Sequence, residues 1–379
     1  MEAAPGLAAI DEAQWDALAN PPGAPFDPFI SWAFLEAAES AGCATRLKGW
    51  TPLHLIARDR AGAMRGAMPL YLKSHSYGEY VFDHAWADAL HRAGGSYYPK
   101  LQCASPFTPV PGRRLLAPER GVRSALVAGS VELMRQTNAS SVHVTFAEKS
   151  CAGELADAGF LSRTGVQFHW FNQGYRDFQD FLDSLSSQKR KNLRKERASA
   201  HAACEVVTLT GHEIAEHDWD FFFACYMDTG SRKWGSPYLN RAFFSLIGER
   251  LRERIVLFVA RAGGRPVAAA LNLVGDEAIY GRYWGRLEDI PFLHFELCYY
   301  QAIDYAIAHG LKRVEAGAQG EHKLARGYAP VPTYSAHWIA HPGLRHAVAR
   351  YLESETPAVA EEIEILSDHT PFKKPPPIG

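Results

Sequence analysis

The run Glu315-Ala-Gly-Ala-Gln-Gly-Glu-His-Lys-Leu-Ala-Arg-Gly-Tyr328 sets ionisable side chains between glycines. Such a stretch suits chemistry more than a core, because glycine lets the backbone turn tightly and approach a ligand closely. Glu321, His322, Lys323 and Arg326 supply an acid, a base and two cations within six positions. Proton transfer needs a carboxyl or imidazole near its working pH, and an anionic group needs fixed cations beside it. Glu315, closing a short strand over 311–316, is the first candidate for a general base. Glu296 and Glu321 are the alternatives, and His322 or His294 could relay the proton. Lys323 and Arg326, with Gln319 in the same loop, are candidates for holding a substrate. The plain alternative is a charged surface loop.

What must position these groups lies just upstream. Residues 278–286 read as an aromatic strand, and residues 291–309 as a helix stopped by Gly310. Phe292, Phe295, Tyr299, Ile303 and Ala306 recur at three and four residues, so one helix face is buried. Strand, helix, strand is a parallel βαβ unit, which sets a helix N-terminus, with its unpaired N–H groups, beside two strand ends. Glu315 is expected to project near that mouth. Tyr283 and Trp284 are expected to wall it, with ordinary core packing as the competing reading.

Length and charge bound the rest. At 379 residues the chain has room for two domains, and a net charge of −2 argues against a globally basic nucleic-acid binder. The 6 cysteines show no paired spacing, which favours reduced thiols. No Lys or Arg precedes Arg46, so no charged leader is evident, and no apolar run reaches membrane-spanning length. A cytoplasmic location is the expectation.

Two stretches share a pattern. Residues 53–72 and 255–273 both run apolar strand, Ala-Arg, turn, then a small-residue strand ending in Leu-x-Leu. Each is followed by an aromatic strand (77–82; 280–284), a helix (119–137; 291–309) and a further strand (142–146; 311–316). The repeat predicts two tandem domains, 1–175 and 176–370, with a Pro-rich, disordered tail at 371–379. The first carries a long insertion at 83–118, expected to line a cleft with Asp83, Lys100, Arg113 and Arg114. Residues 1–30 are expected to wrap the surface ahead of a first helix that Ser31 caps.

Ahead of the second domain, Lys189-Arg-Lys-Asn-Leu-Arg-Lys-Glu-Arg197 sets six cations against one carboxylate. Apolar Phe178, Phe181, Leu182 and Leu185 precede it, so a helix docked by one face and basic on the other is expected. Lys189, Arg190 and Arg194 are its candidate phosphate ligands, for a nucleotide, a CoA phosphate or an RNA backbone.

Other chemistries lack their residues. His212-Glu-Ile-Ala-Glu-His217 spaces its histidines five apart, so they diverge on a helix and no metal site is expected. P-loop, G-x-G-x-x-G and G-x-S-x-G motifs are missing from the sequence. Cys298 reads as a packed thiol.

The repeat, the Lys-Arg-Lys-Asn-Leu-Arg-Lys run, and above all His294-Phe-Glu296-Leu-Cys-Tyr-Tyr-Gln301 followed by Gly317-Ala-Gln-Gly-Glu-His-Lys323 resemble the FemAB-like N-acyltransferases over residues 25–355. The resemblance implies a mixed α/β fold of two tandem GNAT-like domains, each a mostly antiparallel sheet flanked by helices. It implies acyl transfer to an amine, from aminoacyl-tRNA as in Fem enzymes of peptidoglycan biosynthesis or from acyl-CoA as in ordinary GNAT domains. The acceptor would be a precursor peptide or another small amine. The helical-hairpin arm of some Fem enzymes is not evident here. A module that binds RNA or an anionic cell-wall intermediate without catalysis is the alternative.

Overall fold

The computed structural model describes residues 1–232, 237–317 and 320–373. It divides into two compact units, Met1–Val166 with Pro332–Glu361, and Gln167–Val331 with Glu362–Gly379. The chain therefore crosses between units three times, where the sequence reading has one crossing.

In the first unit the strands run Trp50–Pro52, Leu70–Lys73, Lys100–Cys103, Ser141–Ala147, then residues 332–339 of the strand Ala329–Ile339. All neighbours are antiparallel except Lys100–Cys103 and Ser141–Ala147, which are parallel and joined across the helix Arg120–Gln136. A second sheet pairs Glu2–Ala4 with His54–Arg58, and His54–Arg58 with Met64–Met68.

The second unit repeats the pairing. Glu205–Thr210, Ile255–Ala262, Arg265–Val274 and Ala278–Arg286 are antiparallel; Ala278–Arg286 and Arg313–Glu315 are parallel; and residues 167–171 close the row antiparallel. In both units a run of antiparallel pairings, two in the first unit and three in the second, leads to one parallel pairing and then one antiparallel pairing. The repeat is carried by this order. The sequence-level hairpins are not equivalent, since the first lies in the small sheet and the second in the main sheet of its unit.

Each core follows from strand alternation. In the second unit Phe258, Ala270, Ile279 and Val314 face Leu297, Tyr300, Ile303 and Ile307 of the helical segment 293–308. Burying each large aliphatic side chain contributes about 1.5–3 kcal/mol. On the other face the helix Glu216–Arg232 lies so close that a Cβ at Gly285 would stand 2.0 Å from the Cys225 carbonyl oxygen. In the first unit Leu126, Val127 and Met134 of Arg120–Gln136 cover Leu101, Val142 and Val144.

Several expectations are corrected. Residues 1–30 include a strand, Glu2–Ala4, and a helix, Glu12–Ala19, capped by Asp11. Ser31 does cap the next helix, Trp32–Ser40, accepting from the Phe34 N–H at 3.3 Å. The aromatic stretch 77–82 is no strand. The strand before the crossover helix is Lys100–Cys103, inside the supposed insertion, which also holds the helix His84–Arg92. Within the tail, Pro371 and Lys373 pair with Ser186 and Ser184 through backbone hydrogen bonds, and Phe372 packs on Phe181. The rest of the tail lies outside the described residues.

Candidate functional site

The parallel strands of the second unit stay together only over Ala278–Tyr280 and Arg313–Glu315. Beyond them Ala278–Arg286 continues beside Arg265–Val274, while the strand Arg313–Glu315 parts from it and its chain turns away at Gly317, whose φ of +84° suits glycine. At the split is a pocket of about 110 Å³ lined by Asn272, Gly281, Arg282, Trp284, His294 and Tyr299, among others. Asn272 pairs with Gly281 and Leu271 with Tyr283, so Arg282 is the extra residue of a β-bulge at the pocket wall. The far wall is the helical segment beginning at Leu293, whose turn Glu296–Tyr300 is π-helical. Such one-turn irregularities are frequent at functional sites.

Aromatic edges build the mouth. His294 lies 4.7 Å from Trp284 and 5.4 Å from Tyr299, ring centre to ring centre. The Tyr299 hydroxyl stands 2.8 Å from His322 Nε2. The outer edge of His322 is exposed while its ring packs on Phe295 and Tyr299. Partial burial, then the charges of Arg326 and Lys323, hold the imidazole below its ordinary value, so it is neutral at pH 7. Burial pushes the Tyr299 hydroxyl up, so it keeps its proton and donates. Lys323 is buried, and that burial brings its ammonium down to about 8. Its Nζ donates to the Gly317 carbonyl at 2.9 Å, beside Ala316 of the pocket.

The candidates named from sequence separate into groups. His294, Trp284, His322 and Lys323 gather at this mouth. Tyr283 lines the pocket, while its ring meets Tyr226 at 5.1 Å. Glu315 sits elsewhere. Val314 packs under the helix, so alternation puts Glu315 on the opposite sheet face, beside Tyr280 and His169. There Arg313 Nε donates to it at 2.8 Å. Glu296 is fully buried and receives Arg197 at 2.9 Å, Gln301 at 2.7 Å and a His201 contact at 3.0 Å, which makes it a brace for the π turn. Arg326 spends its donors on Tyr300, the His322 carbonyl and Glu196, with its guanidinium over Phe295. Gln319 and the side chain of Glu321 lie outside the described residues.

The first-unit candidates are structural. Lys100 is buried, held by Glu79 at 2.7 Å and by Asp83. Its charge holds the Asp83 carboxyl below the ordinary range against the opposing effect of burial. Arg114 donates to the carbonyls of Thr145, Val110 and Arg113, and Arg113 to Asn20 and Pro25. Backbone carbonyls and carboxylates thus accept from Lys100 and Arg114, while Arg113 Nε is buried without a hydrogen-bond partner among the described residues.

Within unit two the basic run is the helix Ser187–Ala203. Its inner side spends Glu196 on Arg326 and Arg197 on Glu296 and Asp304. Arg190 and Arg194 reach Asp183 at 3.4 and 3.9 Å. Lys189, Lys191 and Lys195 make no ion pair among the described residues, and Lys191 and Lys195 are exposed. Among the described residues no cluster of three or more His, Cys, Asp or Glu could hold a metal, and no helix is long and apolar enough to cross a membrane.

The pocket residues that sequence reasoning passed over are Tyr299, Asn272 and Arg282. Tyr299 falls in the helix's apolar stripe and reads as core. Only the bulge and the parting of the strands bring the other two to the site.

This chain belongs to the FemAB-like family, described as peptidoglycan biosynthesis/recognition, whose model matches residues 6–374. No curated protein matches it. Among solved structures, FemX matches with a TM-score of 0.57 at 12% identity, over 90% of this chain and 98% of its own. The C-terminal domain of a putative lysylphosphatidylglycerol synthetase from Agrobacterium fabrum matches at 0.50 and 10% identity, over 89% of this chain and 100% of its own. L-PGS from Bacillus licheniformis matches at 0.50 and 11% identity, over 87% and 98%. At these identities the likeness is one of fold. The mixed α/β fold expected from the sequence, two repeated units each built on a mostly antiparallel sheet with helices, is the observed one.

Proposed function

We propose that the protein is an N-acyltransferase that moves an aminoacyl group from aminoacyl-tRNA to the amine of a peptidoglycan-precursor-like peptide. The observation that carries this reading is the neutral His322, joined to Tyr299 at the mouth of the split-strand pocket. The pocket admits a small acyl portion, while the rest of the donor stays outside. The acceptor nitrogen attacks the ester carbonyl, and its proton passes through the Tyr299 hydroxyl to His322. The Lys323 ammonium stabilises the developing oxyanion. As the new C–N bond is completed the C–O bond to the tRNA ribose breaks, and His322 returns the proton to that oxygen. Family membership supports the acceptor class, and the cations of Ser187–Ala203 favour a polyanionic donor over acyl-CoA.

The test is mass spectrometry of a precursor peptide incubated with the protein and either a charged tRNA pool or acetyl-CoA. An aminoacyl mass increment from charged tRNA is expected, lost in His322→Gln. An acetyl increment alone would move the donor to acyl-CoA. Donor binding without any covalent product would replace the reading by a binding module.

A further inference from the structure

In the first unit, the segment Tyr77-Gly-Glu-Tyr-Val-Phe-Asp83 is turned inside out. Glu79 and Asp83 are 3% and 2% exposed, while Tyr77 and Phe82 are 61% and 64% exposed. Folded chains ordinarily do the reverse, and a large exposed aromatic cluster marks an interaction surface. The inversion is held by built contacts. Lys100 takes both carboxylates. The Tyr77 carbonyl accepts from buried Trp50 at 3.2 Å and from buried Lys73 at 3.1 Å.

A second protrusion stands beside it. In the short turn Arg46–Lys48, Leu47 is 96% exposed. The turn ends at Gly49, φ +67°, where the His75 ring occupies the space a Cβ would need, 2.4 Å away. His75 Nε2 lies 3.0 Å from the Lys48 carbonyl, and its ring is 5.1 Å from that of Tyr77. Tyr77 in turn is 6.2 Å from His84, at the start of the helix His84–Arg92. Leu47, Tyr77 and Phe82 are thus displayed from fixed backbone. Arg46 and Lys48 are exposed and make no ion pair among the described residues. With Glu79 and Asp83 turned inward, the acid of the covering helix is Asp88, one turn beyond His84.

The geometry points to this face as a docking surface for an anionic lipid bilayer, with Leu47, Tyr77 and Phe82 entering the interface and Arg46 and Lys48 meeting headgroup phosphates. Apolar and aromatic tips ringed by cations are what interfacial binding uses, and removing the carboxylates from the surface takes away the repulsion that anionic lipid would otherwise meet. The proposal is independent of acyl transfer, since none of these residues belongs to the split-strand pocket.

Sedimentation of the full chain with vesicles tests it. Phosphatidylcholine vesicles containing phosphatidylglycerol should carry the protein down, and pure phosphatidylcholine vesicles should not. Lys48→Ser should weaken the binding about fivefold, the share of one cation near a charged surface. Leu47→Glu should abolish it. Both positions are exposed, so the melting temperature of each variant should match the parent and separate lost docking from lost folding. Failure of the parent protein to sediment at low salt, equal binding to both vesicle types, or parental binding by Leu47→Glu would each overturn the proposal. Failure to sediment combined with self-association abolished by Leu47→Glu would reassign the face to a second copy of the chain.

Discussion

The Tyr299 hydroxyl and His322 Nε2, 2.8 Å apart, join the helical wall of the pocket to the loop after the parted strand. Because burial keeps the proton on tyrosine while His322 is held neutral, the pair has one sense: hydroxyl to imidazole. His322→Gln should therefore lower kcat by about 10²–10⁴-fold, the range for losing a positioned base. Donor affinity should be unchanged. The acid limb of the kcat/KM profile should fall below the ordinary histidine value of 6.5, because protonated imidazole cannot accept and this imidazole protonates late. A profile titrating above 6.5 would remove His322 from the role.

Lys323 makes a paired prediction in rate and stability. Its folded value is about 8 against 10.5 for the free side chain. A charged Lys323 is needed in the proposed step, so the alkaline limb should lie near 8 and vanish in Lys323→Met. For stability the sign is opposite to that of a stabilised cation. Between about 8 and 10.5 the unfolded chain binds more protons than the folded one, so stability rises with pH across that window. The gain is at most about 3 kcal/mol, and urea midpoints on either side of the window should show it flattened in Lys323→Met.

Lys100 should behave as a structural residue. Lys100→Met would leave two buried carboxylates to Lys73, 3.7 Å from Glu79, and to the Tyr97 hydroxyl that donates to Asp83, a loss of about 3–5 kcal/mol in urea unfolding. Adding Glu79→Gln and Asp83→Asn should recover part of it, because the uncompensated charge is then gone. A loss below about 1 kcal/mol would show that water reaches the cluster.

The second unit's site was legible where spacing is local. The helical stripe through Tyr299 and Ile303, the hairpin Ile255–Ala262 with Arg265–Val274, and the glycine-rich turn follow from neighbours in sequence. What escaped depends on pairing across distance. Glu315 looks like a site base until the packing of Val314 under the helix fixes which face it takes. Residues 77–82 look like a strand because aromatic residues favour strands. Lys100, 17 positions beyond Asp83, instead draws the acids inward and leaves the aromatics outside. The π turn at Glu296 leaves no periodic trace, since Arg197 braces it from 99 residues away.

The exposed cations of Ser187–Ala203 give the last prediction. Lys191 and Lys195 are four apart on the outer side, while Glu196 and Arg197 face inward to Arg326 and Glu296. If they meet the phosphates of a charged tRNA, each contact releases a counterion, and affinity falls linearly with salt on logarithmic axes. The double variant Lys191→Ala, Lys195→Ala should then reduce that slope by about 2 and weaken binding of all tRNAs alike, since phosphate contacts carry no sequence information. Neither side chain supports the fold, so the melting temperature should be unchanged. Titration at several salt concentrations by fluorescence anisotropy would read the slope directly. An unaltered slope would place the RNA elsewhere and leave this face solvated, whereas a lost slope with intact turnover from a free aminoacyl ester would confine the helix to donor capture and the chemistry to the pocket at His322.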